Sequence, residues 1–320
     1  MNLNFATIWE EISDILPEKT AMICGNEKKT WAEYEKAASK LASALTSSGL
    51  KTYSKAGLYL HNSNEYLEAQ FSIFKIGGTP INVNYRYKAD ELLYLLDNSD
   101  CEALFYQACY GDQINLIKDS LPKIKAWIEV DDGSPSQVPE SLNYTQLLKD
   151  CEPMDRWQRP EDIVYMLYTG GTTGMPKGVM YNQAEFISGM FKTVKAMGYL
   201  VPDDMNNLTE YVKDLDNKNE LPVNLVGCPL MHGTGMWLGC FLPHNLGGTV
   251  VTIPGLGFDP DKIWKECLKS NVTNIIIVGD AFARPMLDAL DSAQDKNRPY
   301  DLSSLQQITS SGVMWSSEVK

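Results

Sequence analysis

The sequence predicts an α/β protein with doubly wound, largely parallel sheets and helices on both faces. Short β-rich runs alternate with amphipathic helical patterns along the chain, which is typical of a parallel sheet with crossover helices. One run, IVYMLY, is apolar on both faces, as a central strand covered by helices is. The 320 residues suffice for a large core, either in one large domain or in two packed units.

The first half of the chain begins with a well-marked helix. Thr30 followed by Glu33 is a capping-box signature, and Gly49 is placed to end the helix. The runs AGLYLHN, TPINVN, CEALFYQ and AWIEVDD then predict strands. The helical runs between and after them are EYLEAQFSIFKI, ADELLYLLDNS, GDQINLIKDSL and YTQLLKD, and GSPSQVP is a loop by composition.

The second half continues the alternation after IVYMLY. NQAEFISGMFKTVKAM is a helical run, and the polar, acidic stretch PDDMNNLTEYVKDLDNKNE predicts an exposed excursion. Further strands are predicted at VNLVGCPL, TVVTIP, VTNIIIVG and LQQITSSG, with helices at GTGMWLGCFLPHNL, DPDKIWKECLKSN and DAFARPMLDALD. We expect approximate subdomains at 1–155 and 156–320. The chain stops in what looks like an interrupted βα unit, which predicts a truncated domain.

Composition excludes several classes of function. The net charge of -13 argues against nucleic acid and anionic lipid as partners, because they require a basic face. A small anion stays compatible with it, since a local nest of backbone N–H groups binds anions whatever the global charge. The seven scattered cysteines contain no C-x-x-C pair, so buried thiols in a reducing compartment are expected rather than disulfides or a zinc site. Neither a secretory signal nor a membrane span is indicated, which predicts a cytoplasmic protein.

The segment MLYTGGTTGMPKGVM, residues 166–180, is the main functional candidate. Its glycines let the backbone turn and approach an anion, its threonines add donors, and Lys177 adds a positive charge suited to phosphate. It is not a Walker A loop, because Met175 and Pro176 separate Gly174 from the lysine. From these residues alone, a phosphate-binding loop and a plain structural turn both stay open.

Within this segment, YTGGTTGMPKG (168–178) resembles the signature loop of the adenylate-forming, AMP-binding superfamily. Five further segments are similar to that family in the same order along the chain. They are KTWAEYEKAASKLASALTSSGL, HNSNEYLEAQFSIFKIGGTPINVN, CPLMHGTGMW, VTNIIIVGDAFARPML and ITSSGVMWS. In detail the chain looks closest to fatty-acyl and related CoA ligases, and the resemblance covers nearly the whole chain.

The resemblance implies a role for each matching residue. The positions that would surround the β- and γ-phosphates of ATP are Thr169, Gly170, Gly171, Thr172, Thr173, Gly174 and Lys177. Those that would lie along the adenine and the acyl group are Ser311, Gly312 and Val313, and the pocket wall would include Gly279 and Asp280. His232 would gate or orient the acyl group near the α-phosphate, as the one catalytic candidate.

Simpler roles stay open for several of these residues. His232 serves equally well as a packing or capping residue, and Asp280 as the N-cap of a predicted helix. Ser311 and Gly312 suit a plain strand end. An apolar acyl pocket and an ordinary core are both compatible with Met231, Met236, Trp237 and Phe282.

The family pattern implies an ATP-dependent acid–CoA ligase of fatty-acid or lipid metabolism. It would use ATP, Mg²⁺ and coenzyme A to convert an apolar carboxylic acid into an acyl-adenylate and then a thioester. The family's later segments, including a C-terminal lid domain, are absent from this sequence, so we expect the chain to be inactive alone. A luciferase-like or carrier-protein-loading enzyme, a non-catalytic binding fragment and a homodimer stay open.

Overall fold

The computed structural model describes residues 3–171, 174–199, 201–202, 204–255 and 257–320. The chain forms two compact units, each built from separate segments. Unit 1 contains the residues up to Glu10 together with Glu33–His61 and Glu65–Gly189, and unit 2 contains Glu11–Ala32, Asn62–Asn64 and Met190–Lys320. These boundaries differ from a division at residue 155, because the residues from there to Gly189 pack with unit 1.

Strands and helices alternate along most of the described chain. The strands are β1 (Thr20–Cys24), β2 (Glu27–Thr30), β3 (Lys55–Tyr59), β4 (Thr79–Asn82), β5 (Cys101–Gln107), β6 (Ala126–Val130), β7 (Leu142–Asn143), β8 (Val164–Gly171), β9 (Gly174–Asn182), β10 (Val223–Val226), β11 (Thr249–Thr252), β12 (Asn274–Ile277) and β13 (Gln307–Ser310). The helices are α1 (Phe5–Ile15), α2 (Trp31–Ser47), α3 (Asn64–Lys75), α4 (Ala89–Asn98), α5 (Gly111–Ile117), α6 (Tyr144–Asp150), α7 (Gln183–Ala196), α8 (Leu208–Lys218), α9 (Leu242–Asn245), α10 (Pro260–Lys269) and α11 (Asp280–Asp295). A π-helix, Thr234–Phe241, directly precedes α9.

Unit 1 contains a parallel sheet and a separate hairpin. The sheet has the strand order β4-β3-β5-β6-β7, and all its pairs are parallel. Strands β8 and β9 form an antiparallel two-stranded sheet of their own. A core cluster joins side chains of the parallel sheet and α4 with Met166 and Tyr168 of β8, so the hairpin belongs to this unit's packing.

Unit 2 contains a six-stranded sheet with the order β13-β12-β10-β11-β1-β2. Its pairs are parallel except for the hairpin β1–β2 at one edge. Ile275 and Ile277 of β12 pack in a core cluster with Trp264 of α10. The predicted α/β class with largely parallel sheets is therefore confirmed.

Most predicted elements are present, and the exceptions have identifiable causes. Gly49 ends α2 with a φ of +90°, as predicted. The acidic stretch predicted as an exposed excursion is exposed or half-buried at most of its described residues, but it contains α8, which was not predicted and which buries Leu208, Val212 and Leu215 in unit 2. Its apolar residues are few, but they recur at helical spacing. Helix α1 and the hairpin β1–β2 were not predicted. Among the described residues, no helix combines the length and apolar character that crossing a bilayer requires.

A buried ionic cluster holds the helices of unit 1 together. Lys75, at the end of α3, has no exposed side-chain surface, and its Nζ lies 2.6 Å from Glu10 Oε1 and 2.8 Å from Glu35 Oε1. Arg159 donates Nη1 and Nη2 to the two carboxylate oxygens of Glu10, at 2.9 and 2.7 Å. Its Nε also donates to the carbonyl oxygen of Lys75, at 3.0 Å. Each buried charge is thus compensated by more than one partner.

We expect Glu10→Gln to destabilise unit 1 by about 3–5 kcal/mol, because it leaves Arg159 buried without its carboxylate. Urea unfolding followed by tryptophan fluorescence measures the loss. The control is Glu210→Gln, which breaks the exposed pair with Lys213 on α8 and should cost less than about 0.5 kcal/mol. Equal losses in the two variants would mean that burial adds nothing to the cluster.

Unit 2 contains a fully buried histidine. His244 Nε2 lies 3.0 Å from the carbonyl oxygen of Ala21, and the ring packs edge-on against Trp31 with ring centres 5.1 Å apart. Burial lowers the pKa of His244 to about 4, from 6.5, because the charged ring would lose its hydration. The neutral ring therefore donates its Nε2 proton to Ala21.

We expect unit 2 to lose stability as the pH falls from about 6.5 to about 4. Between these values the unfolded chain takes up a proton at His244 and the folded chain does not, so each pH unit costs about 1.4 kcal/mol. Above that window this contribution is constant. The free energy of unfolding of wild type and His244→Gln, compared across this range, isolates the effect. Identical pH dependence in both would contradict it.

Candidate functional site

The glycine loop lies at the tip of the β8–β9 hairpin. Gly171 at the end of β8 pairs with Gly174 at the start of β9, while Thr172 and Thr173 lie outside the described residues. The sequence predicted a central strand, then the loop, then a helix, and this was wrong. The strand after the loop is β9, and α7 begins only at Gln183. Within the described ranges no helix begins at this loop, so an anion bound there would depend on main-chain N–H groups of the hairpin.

The burial of both faces of β8 explains why it resembles a central strand. On one face Tyr165 packs against Phe186 of α7 and against Phe5, with ring centres 5.2 and 6.2 Å apart. On the other face Met166 and Tyr168 enter the core cluster of unit 1. A two-stranded hairpin between two apolar layers therefore has the same apolar pattern as a strand inside a parallel sheet.

The described residues near the tip of the hairpin include several that are exposed. Thr169, Gly170 and Lys177 are exposed, and Thr169 lies directly opposite Lys177 across the two strands. A Cβ added to Gly170 would meet nothing within 4 Å, and its φ lies outside the left-handed region. Among the described residues, neither packing nor backbone geometry requires a glycine at this position. A ligand that approaches the backbone closely would require one.

At Gly178, packing inside the hairpin explains the glycine. A Cβ added there would lie 2.8 Å from Tyr168 Cε2 and 2.8 Å from Met166 Sδ. The Tyr168 ring crosses the place where a side chain would be, and its hydroxyl donates to Asn98 Oδ1 at 2.9 Å. Burial raises the pKa of Tyr168 to about 12, so this hydroxyl keeps its proton at neutral pH. Gly178 is therefore structural.

In unit 2, several predicted site residues lie together where β12 and β13 end. Gly279 donates its N–H to Ser310 Oγ at 2.8 Å, and Asp280 donates its N–H to the carbonyl oxygen of Met314 at 3.3 Å. Gly279 has a φ of +61°, and a Cβ there would lie 2.3 Å from Val313 Cγ2. Only glycine fits this close approach, which brings Gly279 against the 311–313 segment.

Asp280 holds the end of this segment. Gly279 occupies the N-cap position of α11, so the N-cap alternative for Asp280 was wrong. Its Oδ1 accepts the backbone N–H of Ser316 at 2.8 Å, and this bond lowers the pKa of Asp280. The carboxylate thus fixes the chain that follows Ser311 and Gly312.

His232 lies in the loop between β10 and the π-helix. Its side chain is exposed, and its backbone N–H donates to the carbonyl oxygen of Pro229 at 3.2 Å. Two residues later, Thr234 Oγ1 would lie 3.5 Å from a Cβ added to Gly312. The structure therefore brings the start of the π-helix next to the 311–313 segment. π-Helices are rare and occur frequently at functional sites.

The sequence reasoning missed two asparagines that hold these loops. In unit 2, Asn62 Nδ2 donates to the carbonyl oxygen of Cys228 at 3.0 Å, and its Oδ1 accepts the N–H of Leu230 at 2.8 Å. In unit 1, Asn82 makes the same pair of bonds to the backbone of Tyr168. An asparagine after a strand ordinarily indicates a turn, so a single sequence contains no signal for either role.

The residues considered for an apolar pocket lie mainly within packing. Met231 and Met236 are each 2% exposed, and Phe282 packs edge-on against Phe258 with ring centres 4.7 Å apart. Trp237 is half-buried. The core alternative is therefore the better account of the two methionines, and the acyl pocket stays a prediction.

Comparison with known proteins gives one family. The family described as AMP-binding enzyme matches residues 9–320. A medium/long-chain-fatty-acid–CoA/3-oxocholest-4-en-26-oate–CoA ligase of Mycolicibacterium smegmatis is 35% identical over 327 residues, covering 100% of this chain and 57% of the relative. A 3-oxocholest-4-en-26-oate–CoA ligase of Rhodococcus rhodochrous is 35% identical over 325 residues, with the same coverage of 100% and 57%. The chain thus spans 57% of the length of these relatives.

Solved structures share the fold at lower identity. The anthranilate CoA ligase AuaEII, in complex with anthranoyl-AMP, superposes with a TM-score of 0.78 at 19% identity, covering 96% of this chain and 54% of that one. A long-chain-fatty-acid–CoA ligase from Archaeoglobus fulgidus gives a TM-score of 0.77 at 19% identity, covering 100% and 59%. Identity at this level establishes the fold alone.

The two glycines of the hairpin provide a test of anion binding. We expect Gly170→Ala to leave the melting temperature within about 1 °C of wild type, because no described residue would contact the added methyl group, and to weaken MgATP binding at least about tenfold. Gly178→Ala should cost about 1–3 kcal/mol of stability through its clash with Tyr168. Calorimetric melting and nucleotide titration measure both. If Gly170→Ala binds MgATP as wild type does, the tip is only a turn.

Proposed function

The chain belongs to the AMP-binding enzyme family, and from this membership we propose that it is the N-terminal portion of an ATP-dependent acid–CoA ligase. The proposed reaction has two steps. A carboxylate attacks the α-phosphorus of ATP, which gives an acyl-adenylate and releases pyrophosphate. The thiol of coenzyme A then attacks the acyl carbon, AMP leaves, and the thiol proton passes to solvent.

The hairpin tip is the structural observation that supports this proposal best. Thr169 and Lys177 are exposed side by side, and Gly170 leaves the main chain open to close approach. Backbone donors and one ammonium group suit the β- and γ-phosphates, whose negative charge grows as pyrophosphate leaves. We assign this role to Thr169–Gly174 and Lys177, although Thr172 and Thr173 lie outside the described residues.

The second group of residues would bind the rest of the substrates. We assign Ser311, Gly312 and Val313 to the adenine and the acyl group, and Gly279 and Asp280 to the nearby wall. The bonds that Gly279 and Asp280 make to Ser310 and Ser316 support a fixed segment there. His232 is proposed to orient the acyl carboxylate, and its exposed position on the loop before the π-helix supports this.

The substrate class and the setting also belong to this proposal. The relatives named for medium- and long-chain fatty acids and for a steroid-derived acid support an apolar carboxylic acid. Cytoplasmic location and use of coenzyme A are part of the same proposal. No group of three His, Cys, Asp or Glu side chains among the described residues is placed to bind a metal. Mg²⁺ is part of the same proposal, as the counter-ion that accompanies ATP.

We expect the longest chain that the gene encodes to catalyse acid-dependent ATP–pyrophosphate exchange and to form acyl-CoA from an apolar acid. Octanoate, palmitate, benzoate, a steroid side-chain acid and acetate form a suitable panel. The chain described here spans 57% of its relatives, and we expect it to lack exchange activity alone.

Three outcomes would contradict parts of this proposal. Exchange without acyl-CoA formation would indicate another acceptor, as in a luciferase-like or carrier-protein-loading enzyme. Equal turnover of acetate and palmitate would contradict the apolar acid. Absence of exchange with every acid would favour a non-catalytic binding protein. Full exchange by the present chain would show that its inactivity alone was wrongly predicted.

A further inference from the structure

A single side chain binds both main-chain groups of the residue that precedes the glycine loop. Asn82, the last residue of β4, donates Nδ2 to the carbonyl oxygen of Tyr168 at 3.1 Å and accepts the N–H of Tyr168 on Oδ1 at 2.7 Å. Tyr168 is followed directly by Thr169 and Gly170 of the tip. The Asn82 amide therefore holds the hairpin, through two hydrogen bonds, at the point where the loop begins.

This contact satisfies the loop end of the free edge of β8. In an antiparallel pair, alternate residues turn both main-chain groups away from the partner strand. Tyr168 is such a residue, because its N–H and C=O reach Asn82, and β4 belongs to a different sheet from β8. At the other end of the hairpin, Thr79 Oγ1 of β4 donates to the carbonyl oxygen of Val164, at 3.3 Å. Side chains of β4 thus take the place of a neighbouring strand.

Two further hydrogen bonds hold the same end of the hairpin. The hydroxyl of Tyr168 donates to Asn98 Oδ1 at 2.9 Å, and the hydroxyl of Tyr94 donates to the carbonyl oxygen of Pro176 at 3.4 Å. Both partners belong to α4, so that one helix braces β8 and β9 near the tip. Of the residues between these points, Thr169, Gly170 and Met175 are exposed. These exposed residues thus adjoin a part of the hairpin that hydrogen bonds hold in place, which we call the base.

We infer that Asn82 is a positioning residue for nucleotide binding at the hairpin tip, an inference that rests on the proposed function. Main-chain donors contribute to anion binding only when they stand at the right distance and angle, and small displacements weaken them steeply. In the part of the chain that the structure describes, no helix begins at the tip, so the positions of Thr169 and Gly170 depend on the base. Asn82 fixes that base without touching the ligand.

The test compares two substitutions that remove hydrogen bonds between β4 and β8. Asn82→Leu keeps the size of the side chain and removes both bonds to Tyr168 at the loop end. Thr79→Val keeps the shape and removes the bond to Val164 at the far end, and it is the matched control. Tyr94→Phe, which removes only the bond to Pro176, gives a milder second variant at the loop end.

Hydrogen exchange measures the base itself and needs no nucleotide. In the present chain, we expect a peptide covering residues 167–169 to exchange at least about tenfold faster in Asn82→Leu than in wild type, because the Tyr168 N–H loses its acceptor. Thr79→Val should leave that peptide unchanged. Unchanged protection in Asn82→Leu would overturn the inference whatever reaction the protein catalyses.

Kinetics of the longest encoded chain then tests the role in binding. In acid-dependent ATP–pyrophosphate exchange, we expect Asn82→Leu to raise KM for MgATP about tenfold and to leave KM for the acid within about twofold. Tyr94→Phe should raise KM for MgATP about two- to threefold, and Thr79→Val should change neither constant. A general loss of structure would instead lower the active fraction and leave both KM values as they are.

The remaining outcomes separate this inference from the proposed function. Active wild type with faster exchange in Asn82→Leu but an unchanged KM for MgATP would overturn the positioning role and leave the ligase intact. A wild type without acid-dependent exchange would overturn the proposed function, and the nucleotide role of Asn82 would fall with it. The hydrogen-exchange result would then describe a structural brace only.

Discussion

A two-stranded hairpin has two rows of main-chain groups that its own pairing does not satisfy, and the candidate phosphate loop depends on how they are satisfied. Unpaired groups in a packed environment cost free energy, so each needs a partner. On β8 the partners are side chains: Asn82 at the loop end, with Thr79 and Gln183 sharing the carbonyl oxygen of Val164 at the other. This solution leaves the hairpin outside the large sheet and yet fixed to it. Thr169 and Gly170, directly after this fixed point, are exposed. A site for a charged ligand requires both exposure and a fixed position.

The frame to which the hairpin is attached is itself held by buried charge. Glu10 of α1 and Glu35 of α2 both form ion pairs with Lys75 of α3. Arg159, which precedes β8, forms an ion pair with Glu10 and donates a hydrogen bond to the Lys75 carbonyl oxygen. Replacing such a cluster with apolar residues can be neutral for stability, but removing one member leaves the others unpaired. Its geometry is also directional, unlike apolar packing. The cluster therefore fixes the start of the segment that leads into β8. Asn82 fixes Tyr168, near the other end of that strand.

The sequence predicted periodic elements well and local exceptions poorly, for physical reasons. Helices α2, α3 and α4 and strands β3, β5 and β12 follow from apolar spacing, because packing against one core imposes that spacing. The IVYMLY run was assigned correctly as a strand and wrongly as a central one, since burial on two faces does not reveal whether main-chain partners lie on both edges. Helix α8 was missed because three apolar residues among many charged ones suffice when only a narrow stripe is buried. Asn62 and Asn82 were missed because their partners are distant in the sequence.

The glycine-rich motif combines positions that glycine occupies for different reasons. At Gly178 the constraint is internal, since the Tyr168 ring fills the space that a side chain would need. Gly279 in unit 2 is also constrained internally, by its positive φ and by the approach of Val313. Gly170 has neither constraint from the described residues: none of their atoms would lie within 4 Å of an added Cβ, and its φ lies outside the left-handed region. A glycine that the fold does not require still costs conformational entropy on folding. Among the described residues nothing requires a glycine at position 170, which supports the proposed ligand at the tip without reference to other proteins.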